Sequence, residues 1–382
     1  MAIKKFLCTL TAFILMLLPL SAFAEETTTD PATDAPTPGL YQSASVLVMD
    51  ADTGEVLYET EGHTLRYPAS VTKVMTALLV LEQVADLNEP VTFSAHALDI
   101  PSYASRIWMH EGEQITVLEA LYGILLSSGN EVARALAEHV SGSVPAFVEE
   151  MNARAAQLGA LHTHFVNPCG LPGDGQFTTA YDIALIMREA TRHPVFLQII
   201  NTPYFEIAPT NIYSNPRLLR NTNRMVRPGQ PEYHPHVVGG KTGFTNAAQH
   251  TLVSYVRQGE RRLIISTLYA DRGVTFTDTA ALIGYAFALL DEREAEQAAE
   301  MAAAAALEAA EAEAAAQEVE AMAQTQQMPD EATGPTEASL TEDEGIATRE
   351  AVVVASVSLL TVVLGLLAVG MYYRRKKRKY RY

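Results

Sequence analysis

Ser70 and Lys73 stand three positions apart in Pro68-Ala69-Ser70-Val71-Thr72-Lys73, directly ahead of the apolar run 74–81. Residues three apart share a helix face, so the hydroxyl and the amine meet at the first turn of a helix. The free N–H groups of that turn, at the positive end of the helix dipole, face incoming negative charge. A hydroxyl beside an amine able to take its proton is the pairing of a nucleophile with its base. Taken alone, Ser-x-x-Lys arises on the order of once by chance in a chain of this length and describes an ordinary helix start equally well.

Two further polar clusters could join it. Ser127-Ser128-Gly129-Asn130 interrupts the strongly apolar stretch 117–137. Polar groups so placed must find partners or line a cavity; a helix-joining turn capped by Asn130 is the plainer alternative. Gly239-Gly240-Lys241-Thr242-Gly243-Phe244-Thr245 reads as the start of an edge strand. There Gly243 would let the backbone come close to a ligand, and Lys241 would supply positive charge for a carboxylate. Alone, this is a glycine-rich turn with a surface lysine. Ser-x-x-Lys, Ser-Gly-Asn and Lys-Thr-Gly in this order within one domain form a set used for acyl transfer through a serine.

The elements that must position these groups follow from local patterning. Residues 45–49 and 55–58 flank Asp50-Ala51-Asp52-Thr53-Gly54 and read as a hairpin. Helical patterns cover 70–82, then 116–158 with a break near Ser128-Gly129, then 180–190. A second hairpin, 251–256 with 262–269, turns at Gln258-Gly259, and a last apolar helix covers 277–290. The expected fold class is α+β: an antiparallel sheet built from both ends of the domain, packed with a helical cluster.

The chain has 382 residues, 48% hydrophobic, and a net charge of −18. That charge argues against a nucleic-acid partner, which requires a basic face. Cys8 lies in a leader expected to be removed, which leaves Cys169 without an internal disulfide partner; it reads as a small buried hydrophobe. His162-Thr163-His164 and His234-Pro235-His236 lack an evident third ligand, so no metal or other cofactor is expected.

Both termini carry targeting signals. Lys4 and Lys5 precede the apolar run 6–20, and Ala22-Phe23-Ala24 suits cleavage after Ala24; the alternative is an uncleaved anchor. Residues 25–38 read as a solvated linker and 39–291 as the catalytic domain. Residues 292–349 form an Ala/Glu-rich helical, then disordered, spacer, with no sustained heptad to make it a coiled-coil stalk. Residues 350–373 are long and apolar enough to span about 30 Å of hydrocarbon. The basic residues of 374–382 then place the tail in the cytoplasm and the domain outside the plasma membrane.

With these motifs, residues 42–291 resemble the low-molecular-weight penicillin-binding proteins, the serine-type D-alanyl-D-alanine carboxypeptidases. Phe165-Val166-Asn167-Pro168-Cys169-Gly170-Leu171-Pro172 and Thr178-Thr179-Ala180-Tyr181-Asp182 extend the likeness. Cys169 and Phe244 depart from it, each standing where His is common. The resemblance implies a serine β-lactamase/DD-peptidase-like fold and a peptidoglycan stem peptide ending in D-Ala-D-Ala as substrate. It implies Ser70 as nucleophile, Lys73 as base and Ser128 as proton relay. Asn130, Lys241, Thr242, Gly243, Phe244 and Thr245 would bind substrate, with the oxyanion between the backbone N–H groups of Ser70 and Phe244. A second cation at Lys241 and partial desolvation would lower the Lys73 pKa. β-Lactams would acylate the same serine. The rival readings are a DD-endopeptidase acting on crosslinks and a non-catalytic wall-binding sensor. A β-lactamase would need a further carboxylate for deacylation, and no convincing Glu-x-x-x-Asn loop lies between the second and third motifs.

Overall fold

The apolar run at the start of the domain folds as strand β1 (Ser45–Asp50), and its alternate residues go to opposite faces. Leu47 and Met49 join one hydrophobic core, while Val46 and Val48 join another. β1 is buried on both faces because it lies inside a layered structure. The computed structural model describes residues 41–325. The leader, the linker at 25–38, the spacer beyond 325, the span at 350–373 and the basic tail lie outside the described residues.

β1 pairs antiparallel with β2 (Val56–Thr60), as the Asp50–Gly54 turn implies. The closing strands β7 (Val237–Thr245), β8 (Gln249–Gln258) and β9 (Arg261–Ala270) complete a five-stranded antiparallel sheet in the order β2-β1-β9-β8-β7. The two ends of the domain thus meet at the β1–β9 pairing, Val48 opposite Ile265. The α+β class and the sheet made from both ends are as expected. The β3 (Pro90–Thr92)–β4 (Gln114–Thr116) and β5 (Tyr204–Ile207)–β6 (Arg217–Arg220) pairs add two small sheets that short-range patterning did not reveal.

One face of the large sheet carries the helical cluster. Its centre is α1 (Lys73–Gln83), buried from Lys73 through Val80. Around it pack α3 (Val117–Leu126), α4 (Asn130–Ser141), α5 (Val144–Gln157), α6 (Ala180–Ala190) and α7 (Pro194–Ile200); a single turn, α2 (Ala95–Leu98), precedes them. Thr116 and Glu119 form a reciprocal cap that starts α3. The expected helical stretch 116–158 breaks twice. Besides the break at Ser128-Gly129, Gly142 ends α4 at φ +74° and Ser143 caps α5. The second break carries its own local signal, a glycine stop at Gly142 followed by the Ser143 cap and Pro145 in the first turn of α5.

The other face is covered by the first part of α8 (Val274–Thr325), through Leu282, Ile283, Ala286 and Phe287. By length and composition α8 could cross a membrane, but those apolar side chains are already buried against the sheet. The chain divides into two units after Ala302. In the second, the described side chains of 303–322 are exposed, so this Ala/Glu-rich helix contributes nothing to a core.

Candidate active site

Ser70 does not sit in the first turn of an α-helix. It lies in a 3-10 turn, Ala69–Thr72, that runs into α1. The cause is long-range. Ala69 is held at φ +48°, with the Thr251 hydroxyl of β8 donating to the Pro68 carbonyl at 3.1 Å and Gly170, at φ +82°, pressed against Ala69. The tighter turn still brings Lys73 Nζ to 3.0 Å from Ser70 Oγ.

Lys73 is fully buried, and its amine has two further partners: Asn130 Oδ1 at 2.9 Å and the Cys169 carbonyl at 2.6 Å. These two oxygens can only accept. A neutral amine has two N–H donors and one lone pair, so donation to both leaves the lone pair facing the Ser70 hydroxyl. Burial pulls the Lys73 pKa from an ordinary 10.5 down to about 8, against opposing pulls from Cys169 and Glu131. Desolvation of Lys73 is complete rather than partial, and it is the largest cause of the shift. Lys241, on β7, is 1% exposed; burial and then Lys73 hold it well below its ordinary value. Its Nζ donates to the Thr242 carbonyl at 2.8 Å.

Ser128 and Asn130 come from the break between α3 and α4. Ser128 is buried at φ +60°, and its Oγ has no hydrogen-bond partner among the described residues. Asn130 is fixed by its backbone and side-chain amides, which both donate to the Ser105 carbonyl, at 2.9 and 2.7 Å. Cys169 is a buried thiol that donates to the Asn130 carbonyl at 3.3 Å, and burial pushes its pKa up to about 11. It is inert packing, as expected, while its carbonyl serves Lys73.

A cleft of about 800 Å³ opens over these groups. Ser70, Ser128, Asn130 and the strand residues Thr242, Gly243, Phe244 and Thr245 line it, while Lys73 and Lys241 lie beneath its surface. All nine residues singled out from sequence therefore belong to one place. The cleft has members that the sequence did not announce. Arg224, 2.8 Å from Glu232, and Arg272 both line it, as does His250, whose ring lies 4.6 Å from Phe244. Burial and then Arg272 lower the His250 pKa. Among the described lining residues there is no carboxylate, so the cleft suits an anionic ligand. No local pattern marks these arginines: Arg224 opens the 3-10 turn Arg224–Val226, and Arg272 lies in the turn after β9. Among the described residues no group of three His, Cys, Asp or Glu is gathered to hold a metal.

A buried lysine against a serine, a hydroxyl without a partner among the described residues and a glycine-rich edge strand thus meet between a sheet and a helical cluster. The chain belongs to the D-alanyl-D-alanine carboxypeptidase family, whose profile matches residues 31–272. D-alanyl-D-alanine carboxypeptidase DacF of Bacillus subtilis is 35% identical over 228 residues, 59% of this chain and 56% of that protein. D-alanyl-D-alanine carboxypeptidase DacB2 of Mycobacterium tuberculosis is 37% identical over 249 residues, 64% of this chain and 81% of that protein. The crystal structure of the Streptomyces K15 DD-transpeptidase superposes with a TM-score of 0.61 at 27% identity, covering 65% of this chain and 98% of that one. The match thus spans little more than half the length of the Bacillus relative.

Proposed function

We propose that this chain is a serine-type carboxypeptidase that removes the terminal D-Ala from peptidoglycan stem peptides through an acyl-enzyme on Ser70. The observation that carries the reading is the buried Lys73 amine 3.0 Å from Ser70 Oγ, between two oxygens that can only accept. In its neutral form Lys73 takes the Ser70 proton as Oγ attacks the carbonyl carbon of the penultimate D-Ala. The oxyanion forms between the backbone N–H groups of Ser70 and Phe244, an arrangement worth about 3 kcal/mol in related chemistry.

Ser128 passes the proton to the leaving nitrogen, the C–N bond breaks and D-Ala departs. Water then attacks the ester with Lys73 again as base, and Ser70 regains its proton. Asn130 holds the substrate amide and orients Lys73. Thr242 and Thr245 hold the terminal carboxylate above Lys241, and an arriving carboxylate favours the cationic form of that lysine. Gly243 gives the substrate backbone room along β7. β-Lactams would acylate Ser70 and leave slowly. Cleavage after Ala24 and a single span at 350–373, supported by their sequence, would hold the domain outside the plasma membrane with the tail in the cytoplasm.

Labelling with fluorescent penicillin, beside a Ser70→Ala variant, tests the chemistry. A labelled parent and an unlabelled variant are expected; an unlabelled, folded parent would favour a wall-binding protein without catalysis. Release of D-Ala from linear stem peptides, with crosslinked peptides left uncut, separates this reading from an endopeptidase.

A further inference from the structure

Trp108 is the chain's single tryptophan, and it is 70% exposed. An exposed aromatic side chain by itself needs no explanation. The backbone beneath this one does. Its φ is +65°, a strained region for a bulky residue, which persists only where surroundings enforce it.

Two buried charged groups enforce it. The Glu131 carboxylate, 2% exposed, accepts from the backbone N–H groups of Ile107 at 2.6 Å and Trp108 at 3.0 Å. On the other side Arg217, 8% exposed, donates to the Trp108 carbonyl at 3.2 Å. Arg217 is itself locked to the fully buried Glu113 through contacts of 2.6 and 2.9 Å. The Arg106 guanidinium lies 5.2 Å from the indole centre and is anchored to the Pro101 carbonyl at 2.7 Å. The indole is therefore braced on a fixed backbone and still open to solvent.

The same loop is fastened to the catalytic site. Ser105 receives both Asn130 hydrogen bonds, Tyr103 is 78% exposed, and both residues line the cleft. Three residues of chain reach at most about 11 Å, so Trp108 stands close to the cleft margin.

We propose that Trp108 is a stacking platform for a sugar ring of the wall glycan, so that the site takes stem peptides still attached to glycan in preference to free peptides. This rests on the stem-peptide reading above. A pyranose ring presents a face of C–H groups, whose partial positive charge suits the negative face of an indole. A stem peptide of a few residues seated at Ser70 reaches on the order of 15 Å, which brings its own sugar to this margin at high effective concentration.

Because the protein has one tryptophan, its fluorescence excited to the red of tyrosine absorption reports on Trp108 alone. The full chain in detergent, titrated with the peptide-free N-acetylated disaccharide of the wall glycan, should show a saturable spectral change. An acyl-D-Ala-D-Ala peptide should give none. No change with the sugar, or the same change with the peptide, overturns the proposal. This readout does not need acylation of Ser70, so its failure is distinct from failure of the peptidase reading.

Trp108→Ala supplies the second test. Its kcat/KM on glycan-attached stem peptide should fall about tenfold, mainly through KM. Hydrolysis of free peptide and acylation by penicillin should stay within about twofold of the parent. An equal loss on both substrates would make Trp108 merely structural, and no loss on either would remove the platform; either result overturns the proposal.

Discussion

A β-carbon placed on Gly243 would stand 2.7 Å from the backbone nitrogen of Ser70 and 3.0 Å from the β-carbon of Ala69. It would also collide with the Thr251 hydroxyl. The edge strand therefore passes over the Ser70 peptide with room for hydrogen alone. Gly243→Ala should displace β7 from the turn that holds Ser70. Misplacement of about 1 Å can lower a rate by about 100-fold, and a loss of this order in penicillin acylation is expected, with circular dichroism unchanged. Acylation at the parental rate would show that β7 can shift without cost to the site.

In the proposed mechanism the neutral form of Lys73 is the base, and burial lowers its pKa to about 8. Its neutral fraction therefore rises as pH increases toward 8 and levels off above it. Acylation of Ser70 should climb by about tenfold per pH unit on the acid side and reach a plateau on the alkaline side. Lys73→Arg keeps the charge and cannot deprotonate; it should lose acylation by about 100-fold or more. Stopped-flow acylation across roughly pH 5 to 10 checks both; a flat profile would remove Lys73 from the base role.

Ser128 combines left-handed backbone with a buried hydroxyl lacking a partner among the described residues. Both features cost stability, and glycine relieves both. Ser128→Gly should raise stability by about 1 kcal/mol, while turnover falls by about 100-fold with the proposed relay gone. Ser128→Ala should lose turnover similarly but keep the backbone strain. Denaturant unfolding beside D-Ala release distinguishes them; a destabilised, active glycine variant would contradict this account.

The second core of the domain depends on the start of α8. A chain ending at Gly273 would bare Val46, Val48, Leu252, Val256, Leu263 and Ile265. Each large apolar side chain returned to water costs about 1.5–3 kcal/mol, against a total stability of about 5–15 kcal/mol. Thermal melts should show no cooperative fold for that chain. One ending at Ala302 should melt with the parent and acylate within about twofold of its rate, since the boundary between the two units falls there.

Much of the fold was legible because its signals are local. Short β-rich runs bounded by turn residues marked β1, β8 and β9, and the helix Ala180–Ala190 has the bounds its pattern gave. The 3-10 turn at Ser70 was not legible, since Gly170 and Thr251, about 100 and 180 residues further along, impose it. Arg224 and Arg272 likewise carry no local mark, and neither does the clamp on Trp108, whose members Glu131 and Arg217 are far apart in the chain.

By itself the amino-acid sequence determined which groups could react: a serine with a lysine three positions on, a Ser-Gly-Asn break and a Lys-Thr-Gly strand. Side-chain type is covalent and needs no fold. Tertiary structure decided how they stand. It buried Lys73 so that its amine can be neutral near neutral pH, put Lys241 beneath the cleft rather than on its wall, and left Cys169 inert while using its carbonyl. Protonation and access depend on what surrounds a group, and the surroundings here come from segments that meet only when the chain has folded.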